Sequence, residues 1–222
     1  MNIGDSILKL RETIPGGVEL VAVSKFHPNE AIMDAYEVGQ RVFGESRATE
    51  LKAKATSLPN DIQWHFIGHL QTNKVRQLVP FVNLIHSVDS VKLLACINNE
   101  AKRVDKVVNV LLQLHVAQEE TKFGFTCDDC LAMVADGVLD ELQNVRVCGV
   151  MGMASLTDDE TKIRAEFKAI KATFERLKDE VFDGCDYFCE VSMGMSGDYP
   201  IAIEEGATIV RIGSSIFGNR NY

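Results

Sequence analysis

Lys25 is the residue of this sequence best suited to covalent chemistry, because it comes just after the apolar run Leu20–Val23. A lysine at the end of a buried strand lies beside apolar walls, where loss of solvation disfavours the ammonium form. The neutral amine is a nucleophile suited to forming a Schiff base. Position alone favours a simpler interpretation, a solvated lysine at a strand end, so other residues must decide.

Two segments near the carboxyl terminus have the composition of anion-binding loops. Their candidate phosphate ligands are Ser192, Gly194, Ser196, Gly213 and Ser214. Backbone N–H groups at the start of a helix, with hydroxyl groups beside them, bind phosphate well. Serine and glycine are also ordinary turn residues, so the prediction of a phosphate site depends on both loops together.

Arg211 and Met151 belong to two further apolar runs that end near these loops. A guanidinium can only donate hydrogen bonds and stays protonated. The partner of Arg211 is therefore either a carboxylate, such as Glu190 or Asp198, or an acceptor atom of a ligand. Met151 is either a core residue or the floor beneath a planar ring.

The histidines and cysteines do not predict a metal site. His65 and His69 span a strand end and a glycine, so their spacing does not place both on one helical face. Cys127 and Cys130 form a lone CxxC pair, without a second pair at the spacing of a zinc site. We expect the six cysteines to be reduced and structural.

Eight short apolar runs alternate with segments of helical period, which is typical of parallel strands joined by helices. The predicted strands are Glu19–Val23, Arg41–Phe43, Gln63–Ile67, Leu84–Ser87, Val107–His115, Val145–Met151, Tyr187–Val191 and Ile209–Ile212. A closed barrel and an open sheet both fit this order. The count of eight, and the lack of a GxGxxG segment after the first strand, favour the barrel.

We therefore predict an α/β protein with a single (β/α)8 TIM-type barrel, forming one domain over residues 1–222. The periodicity of Met1–Ile14 predicts an extra amphipathic helix at the amino terminus. Thr157 and Glu160 have the spacing of a capping box before the most regular helix. In such barrels the functional groups lie at the carboxyl ends of the strands, with phosphate often bound after strands seven and eight.

Composition narrows the possible partners and the compartment. The chain has 222 residues, 46% of them apolar, and a formal net charge of −9. This charge argues against nucleic acid and against an anionic membrane surface as partners. The first helix lacks the features of a signal peptide, and no apolar run is long enough to span a membrane. We expect a cytoplasmic protein.

Taken together, these motifs resemble those of the pyridoxal phosphate homeostasis protein family, whose barrel is similar to the N-terminal domain of alanine racemase. The matching segments are Ala22-Val23-Ser24-Lys25, Phe43-Gly44-Glu45, residues 65–74, Lys122-x-Gly124, Gly149-x-Met151, residues 192–198 and residues 210–218. They run in order along nearly the whole chain. One position departs from the family pattern, because Ser46 stands where the family usually has asparagine.

The resemblance implies that the cofactor is pyridoxal 5′-phosphate, held as a Schiff base on Lys25. It also implies that Arg211 faces the pyridine nitrogen and that the serines and glycines of both loops hold the phosphate. The expected function is to buffer the cofactor or deliver it to apoenzymes that depend on it, as a monomer.

Efficient catalysis is not expected. Arginine leaves the pyridine nitrogen unprotonated, which weakens the ring as an electron sink. The chain also ends at Tyr222, before any C-terminal domain of the kind that gives alanine racemase its second base. The alternatives are a slow amino-acid racemase and, in a third class, an aldolase that uses the lysine on a sugar phosphate.

Overall fold

The computed structural model describes residues 2–116 and 124–218. Its strands, all parallel, pair in sequence order and close into a barrel, β1 pairing with β8. The strands are β1 (Glu19–Val23), β2 (Val42–Glu45), β3 (Gln63–Phe66), β4 (Leu84–Val88), β5 (Val108–Gln113), β6 (Val145–Met151), β7 (Glu190–Ser192) and β8 (Ile209–Ile212). The predicted TIM-type barrel is confirmed.

Helices follow the strands along the chain. They are α1 (Ile3–Thr13), α2 (Asn29–Glu37), α3 (Ala48–Ser57), α4 (Thr72–Leu78), α5 (Val91–Arg103), α6 (Cys127–Ala135), α7 (Glu160–Glu180), α8 (Tyr199–Glu204) and α9 (Ser214–Phe217). A short 3₁₀ helix, Val138–Glu141, precedes β6. Lys122 of the family pattern and Tyr222 lie outside the described residues.

The predicted amino-terminal helix is present as α1. The side chain of Asn2 caps it by accepting a hydrogen bond from the N–H of Gly4 at 2.8 Å. Ile7 and Leu10 are buried on its apolar face. The helix ends at Thr13, shortly before Pro15, because proline disfavours helical geometry in the residue before it.

Apolar side chains form two layers, one inside the barrel and one between its strands and the surrounding helices. A small cluster lies in the barrel interior: Val21, Leu84, Leu111, Cys148, Met151 and Ile209. The large core lies between the strands and the surrounding helices, with fully buried side chains such as Phe43 and Phe167. Because both faces of a parallel strand are covered, its sequence is a continuous apolar run rather than an alternating one.

The start of α7 corrects one prediction. The capping box at Thr157 and Glu160 is wrong, because Asp159 is the N-cap and its carboxylate accepts hydrogen bonds from the N–H groups of Thr161 and Lys162. A carboxylate nearer the first turn satisfies two N–H groups that lack intrahelical partners. The hydroxyl of Thr157 instead accepts from the N–H of Asp159.

Strand β7 also begins later than predicted, at Glu190 rather than Tyr187. The segment before it forms tight turns, in which the N–H of Cys185 donates to the carbonyl of Phe182 and that of Phe188 to the carbonyl of Cys185. These turns stack the rings of Phe182 and Phe188 with centroids 4.0 Å apart. Local packing therefore replaces the first part of the predicted strand.

Among residues 2–116 and 124–218, no helix combines the length and the apolar character needed to cross a membrane.

Candidate functional site

Lys25 lies in a turn directly after β1, at the carboxyl end of the barrel. The N–H of Ser24 still donates to the carbonyl of Gly44 on β2, at 3.0 Å, and the N–H of His27 closes the turn on the carbonyl of Ser24. Lys25 itself is half-buried.

The two loops predicted to bind phosphate lie next to each other. They follow β7 and β8, and the N–H of Gly213 donates to Oγ of Ser196 at 3.3 Å. The N–H of Arg211 also donates to the carbonyl of Gly194 at 3.0 Å. A Cβ at Gly213 would come within 3.2 Å of Cβ of Val23, so the second loop also lies against the end of β1. The loop after β8 therefore adjoins the strand that leads to Lys25, and the loop after β7 adjoins the loop after β8.

Asp198 and Gly213 are the N-caps of α8 and α9, and neither makes a side-chain capping hydrogen bond. The carboxylate of Asp198 instead accepts from the N–H of Met195 at 2.5 Å. The N–H of Tyr199, the first residue of α8, already donates to the carbonyl of Met195 at 2.9 Å, and the next residue, Pro200, has no N–H. First-turn N–H groups have no intrahelical acceptor, so the start of α9, rather than the first two positions of α8, offers donors to an anion.

Gly194 needs to be glycine for this loop to close. Its φ of +90° is in the left-handed region, and a Cβ there would come within 2.6 Å of Cβ of Ala202 on α8. A side chain would therefore push α8 away from the loop after β7. Glycine allows the chain to turn tightly beneath the helix start.

Arg211 lies buried inside the barrel, on β8. Its Nη1 donates to Oγ of Ser192 at 2.6 Å and its Nη2 to the carbonyl of Gly152 at 3.1 Å. Burial lowers the pKa of Arg211 to about 10, so the guanidinium remains charged at neutral pH. Among the described residues, no carboxylate forms a direct ion pair with it, and Asp198 acts on it only through a longer-range attraction that opposes the effect of burial on the pKa. This leaves a buried cation with only neutral acceptors.

Ser192 connects Arg211 to two buried histidines that the sequence analysis did not link to it. Oγ of Ser192 lies 2.8 Å from Nδ1 of His86, and Nε2 of His86 lies 3.0 Å from Nδ1 of His65. Desolvation lowers the pKa of His65 to about 3 and that of His86 well below its usual value. Both imidazoles are therefore neutral at pH 7.

Because the hydroxyl of Ser192 accepts from Arg211, its own hydrogen is available to Nδ1 of His86. His86 can then donate from Nε2 to His65, and each group has one donor and one acceptor role. The structure thus places the hydroxyl of Ser192 between Arg211 and His86. Its contact with a phosphate stays a prediction. His86 could have been suspected from the sequence only as a polar residue inside the apolar run of β4.

Met151 ends β6 and is buried in the interior cluster with Val21 and Ile209. Its carbonyl accepts a hydrogen bond from the N–H of Leu114, at 2.7 Å. The side chain fills the barrel directly below the level of the loops. Its contact with a planar ring stays a prediction.

The described residues contain no group of three or more His, Cys, Asp or Glu side chains arranged to hold a metal ion. His69 instead lies with Nδ1 3.2 Å from a carboxylate oxygen of Asp89. All six cysteines are free, which agrees with the expectation of reduced thiols. Burial raises the pKa of Cys130 to about 12 and that of Cys148 to about 11, so both stay protonated.

Comparison with known proteins decides the family. The family model for the alanine racemase N-terminal domain matches residues 2–221. A pyridoxal phosphate homeostasis protein of Aquifex aeolicus is 40% identical over 205 residues, 92% of this chain and 88% of its own. The chain belongs to the pyridoxal phosphate homeostasis protein family. Its human relative of the same name is 38% identical over 213 residues, 91% of this chain and 77% of its own.

Solved structures of this family have the same barrel. PipY of Synechococcus elongatus, a structure with pyridoxal phosphate bound, is 36% identical, with a TM-score of 0.88 over 97% of this chain and 100% of PipY. An alanine racemase of Clostridium difficile has a TM-score of 0.77 at 12% identity, over 100% of this chain and 57% of the racemase. The racemase likeness concerns the fold alone.

Proposed function

We propose that the protein binds pyridoxal 5′-phosphate and serves in homeostasis of this cofactor, by buffering it or delivering it. The observation that carries the proposal is the buried guanidinium of Arg211, which has no carboxylate partner in the described chain and lies beside two glycine–serine loops. This donor set fits a ligand with an acceptor nitrogen and a phosphate. The names of the relatives and the ligand of PipY support the same cofactor.

Each residue of the site is proposed to have a separate role. The amine of Lys25 would hold the cofactor by condensing with its aldehyde, with release of water. Gly194, Ser196, Gly213 and Ser214 hold the phosphate through backbone N–H groups and hydroxyls. The hydroxyl of Ser192 supports this site by fixing Arg211, which we propose donates to the pyridine nitrogen. Met151 forms the floor beneath the ring.

These roles favour a carrier over an efficient enzyme. When bound, the cofactor supplies a conjugated ring that can withdraw electrons from an attached amine. Arg211 only donates hydrogen bonds, and burial leaves it still charged at neutral pH. It therefore keeps a facing nitrogen unprotonated and limits this withdrawal. The name of the family favours the same non-catalytic role.

We further propose that the protein is a cytoplasmic monomer whose residues 1–222 form one domain, and that its partners are apoenzymes that need the cofactor. The barrel runs from Glu19 to Ile212 and closes on itself, so it leaves no sheet edge open for pairing. Free cysteines suit a reducing compartment.

A paired assay tests the carrier function. The purified protein, loaded with the cofactor, is mixed with an apoenzyme that requires it, and recovery of that enzyme's activity is followed over time. In parallel, the loaded protein is assayed for racemisation and transamination across a panel of amino acids. We expect transfer of the cofactor with little turnover. Turnover at the rate of a dedicated enzyme would instead support an amino-acid enzyme, of which the racemase is the alternative considered, and contradict the carrier.

Ser196→Ala should weaken binding of pyridoxal 5′-phosphate but hardly change binding of unphosphorylated pyridoxal. A lost hydrogen bond to a charged group is worth about 1.5–3 kcal/mol, which is roughly ten- to a hundredfold in affinity. Absorbance titrations with both ligands measure the difference. Ser57→Ala, at the carboxyl end of α3, is the control and should bind both ligands normally. Equal weakening for the two ligands would contradict the phosphate assignment.

A further inference from the structure

Lys54 is a buried lysine on α3 that the proposed function does not use. Its ammonium donates to three acceptors: the carbonyl of Ser24 at 2.9 Å, Oε1 of Glu45 at 2.7 Å and Oε1 of Glu50 at 2.8 Å. An ammonium group has three N–H donors, so each of them has a partner here. The side chain is 6% exposed. Lys54 thus connects α3 with the end of β1 and the end of β2.

The acceptors of Lys54 also hold the residues on both sides of Lys25. The hydroxyl of Ser24 donates to Oε1 of Glu45 at 2.6 Å. On the other side, Oε1 of Glu50 accepts from the backbone N–H of Phe26 at 2.7 Å. The turn that carries Lys25 is therefore fixed at the residue before it and at the residue after it, and both attachments meet at Lys54.

This turn has a conformation that needs support. Phe26 has a φ of +67°, in the left-handed region that side chains other than glycine rarely adopt. Phe26 as a whole residue is 46% exposed, so burial of its side chain does little to hold the backbone there. Such strained residues persist only where surrounding contacts determine them. The hydrogen bond from Phe26 to Glu50 is one such contact, and the guanidinium of Arg47 over the Phe26 ring, 4.6 Å from its centroid, is another.

The charged side chains of Lys54 and Glu45 are buried, and removing them from water has a high free-energy cost. Glu45 is fully buried, and its Oε2 has no hydrogen-bond partner among the described residues. Desolvation raises the pKa of Glu45 to about 7, against the opposing effect of Lys54 and of the Ser24 hydroxyl. Apolar side chains often replace a buried ion pair without loss of stability. Attachment of α3 alone therefore does not account for these charges.

We propose that Lys54 is a positioning residue that fixes the turn on which Lys25 meets the cofactor aldehyde. The proposal rests on the proposed function, in which Lys25 is the attachment point. Among the described residues, the ammonium of Lys54 donates its hydrogen bonds to the turn and to two carboxylates. Its effect is therefore on formation of the covalent bond, and not on recognition of the ring or the phosphate.

Two ligands separate this role from a purely structural one. Pyridoxal 5′-phosphate carries the aldehyde, and pyridoxine 5′-phosphate carries an alcohol in its place and cannot form a Schiff base. For Lys54→Met we expect about tenfold weaker binding of the aldehyde and slower growth of the Schiff-base absorbance, since small misplacements of a reacting group cost large factors in rate. Binding of the alcohol should stay as in the wild type.

A second variant covers the possibility that Lys54→Met leaves Glu45 in an unstable position. In Lys54→Met combined with Glu45→Leu, both buried charges are replaced by apolar groups, which is often neutral for folding. We expect the same selective loss of aldehyde binding. Lys52→Met is the matched control, because Lys52 is exposed on the same helix, and it should behave as the wild type.

The outcomes distinguish the two proposals. Equal weakening of both ligands in the double variant, or unchanged binding and kinetics in a folded variant, would overturn the positioning role while leaving the attachment at Lys25 intact. A wild-type protein that shows no Schiff-base absorbance, and binds aldehyde and alcohol alike, would overturn the attachment and with it the role of Lys54.

Discussion

Lys25→Ala is expected to abolish the Schiff-base absorbance and to weaken binding of pyridoxal 5′-phosphate at least about a hundredfold, or ~2.8 kcal/mol. The variant loses the only covalent bond in the proposed site, and its remaining contacts are hydrogen bonds to the ring and the phosphate. The fold should persist, because the turn is held through the backbone and side chain of Ser24 and the backbone of Phe26.

Absorbance titration measures the first effect, and circular dichroism checks the fold. Borohydride reduction of the loaded wild type, followed by peptide mapping, should find the trapped adduct on Lys25. Lys74→Ala is a suitable control, because Lys74 lies in a cavity of about 290 Å³ with His69 and Ser46, beside the loops after β2 and β3. A trapped adduct on Lys74 or Lys122 would contradict the assignment of Lys25.

Gly149→Ala is expected to destabilise the barrel by about 3 kcal/mol or more. Gly149 has a φ of +152°, and a Cβ there would come 1.9 Å from the backbone oxygen of Glu190, its pairing partner on β7. Backbone cannot move aside as a flexible side chain can. The variant must therefore either break the pairing of β6 with β7 or shift the strand that ends at Met151.

Urea unfolding followed by fluorescence or circular dichroism measures this loss of stability. Gly16→Ala is the matched control, since a Cβ at Gly16 would meet nothing within 4 Å. It should leave the free energy of unfolding within about 0.5 kcal/mol of the wild type. Similar free energies of unfolding for Gly149→Ala and Gly16→Ala would show that the pairing of β6 with β7 tolerates a side chain at this position.

The sequence was sufficient to predict the barrel because buried parallel strands are apolar along their whole length. The bounds of β1, β6 and β8 agree with the prediction, since each is a run rich in valine or isoleucine. Strand β7 could not be bounded in the same way. Tyr187 and Phe188 have strand-forming side chains, but stacking of Phe188 on Phe182 places them in turns.

The sequence was enough to predict that the loops after β7 and β8 lie next to each other, because strands seven and eight of a barrel are adjacent. The network of Ser192, His86 and His65 could not be predicted in this way, because its members come from three strands and meet only through the register of the closed barrel. The burial of Lys54 could not be predicted from the sequence either. In the sequence this residue resembles any lysine of a polar helix, and its burial depends on how α3 packs on β1 and β2.

Closure of the barrel joins two strands that are separated by nearly the whole chain, from Glu19 paired with Ile209 to Ala22 paired with Ile212. Contacts between such distant segments carry a high entropic cost of loop closure and form slowly. Lys25 follows one of these strands, and Gly213 follows the other and lies against Val23. A ligand held by Lys25 and Gly213 therefore bridges β1 and β8, and it stabilises only those chains in which these two strands have paired. We expect bound cofactor to lengthen the lifetime of the folded barrel by slowing its unfolding, while the rate of folding changes little.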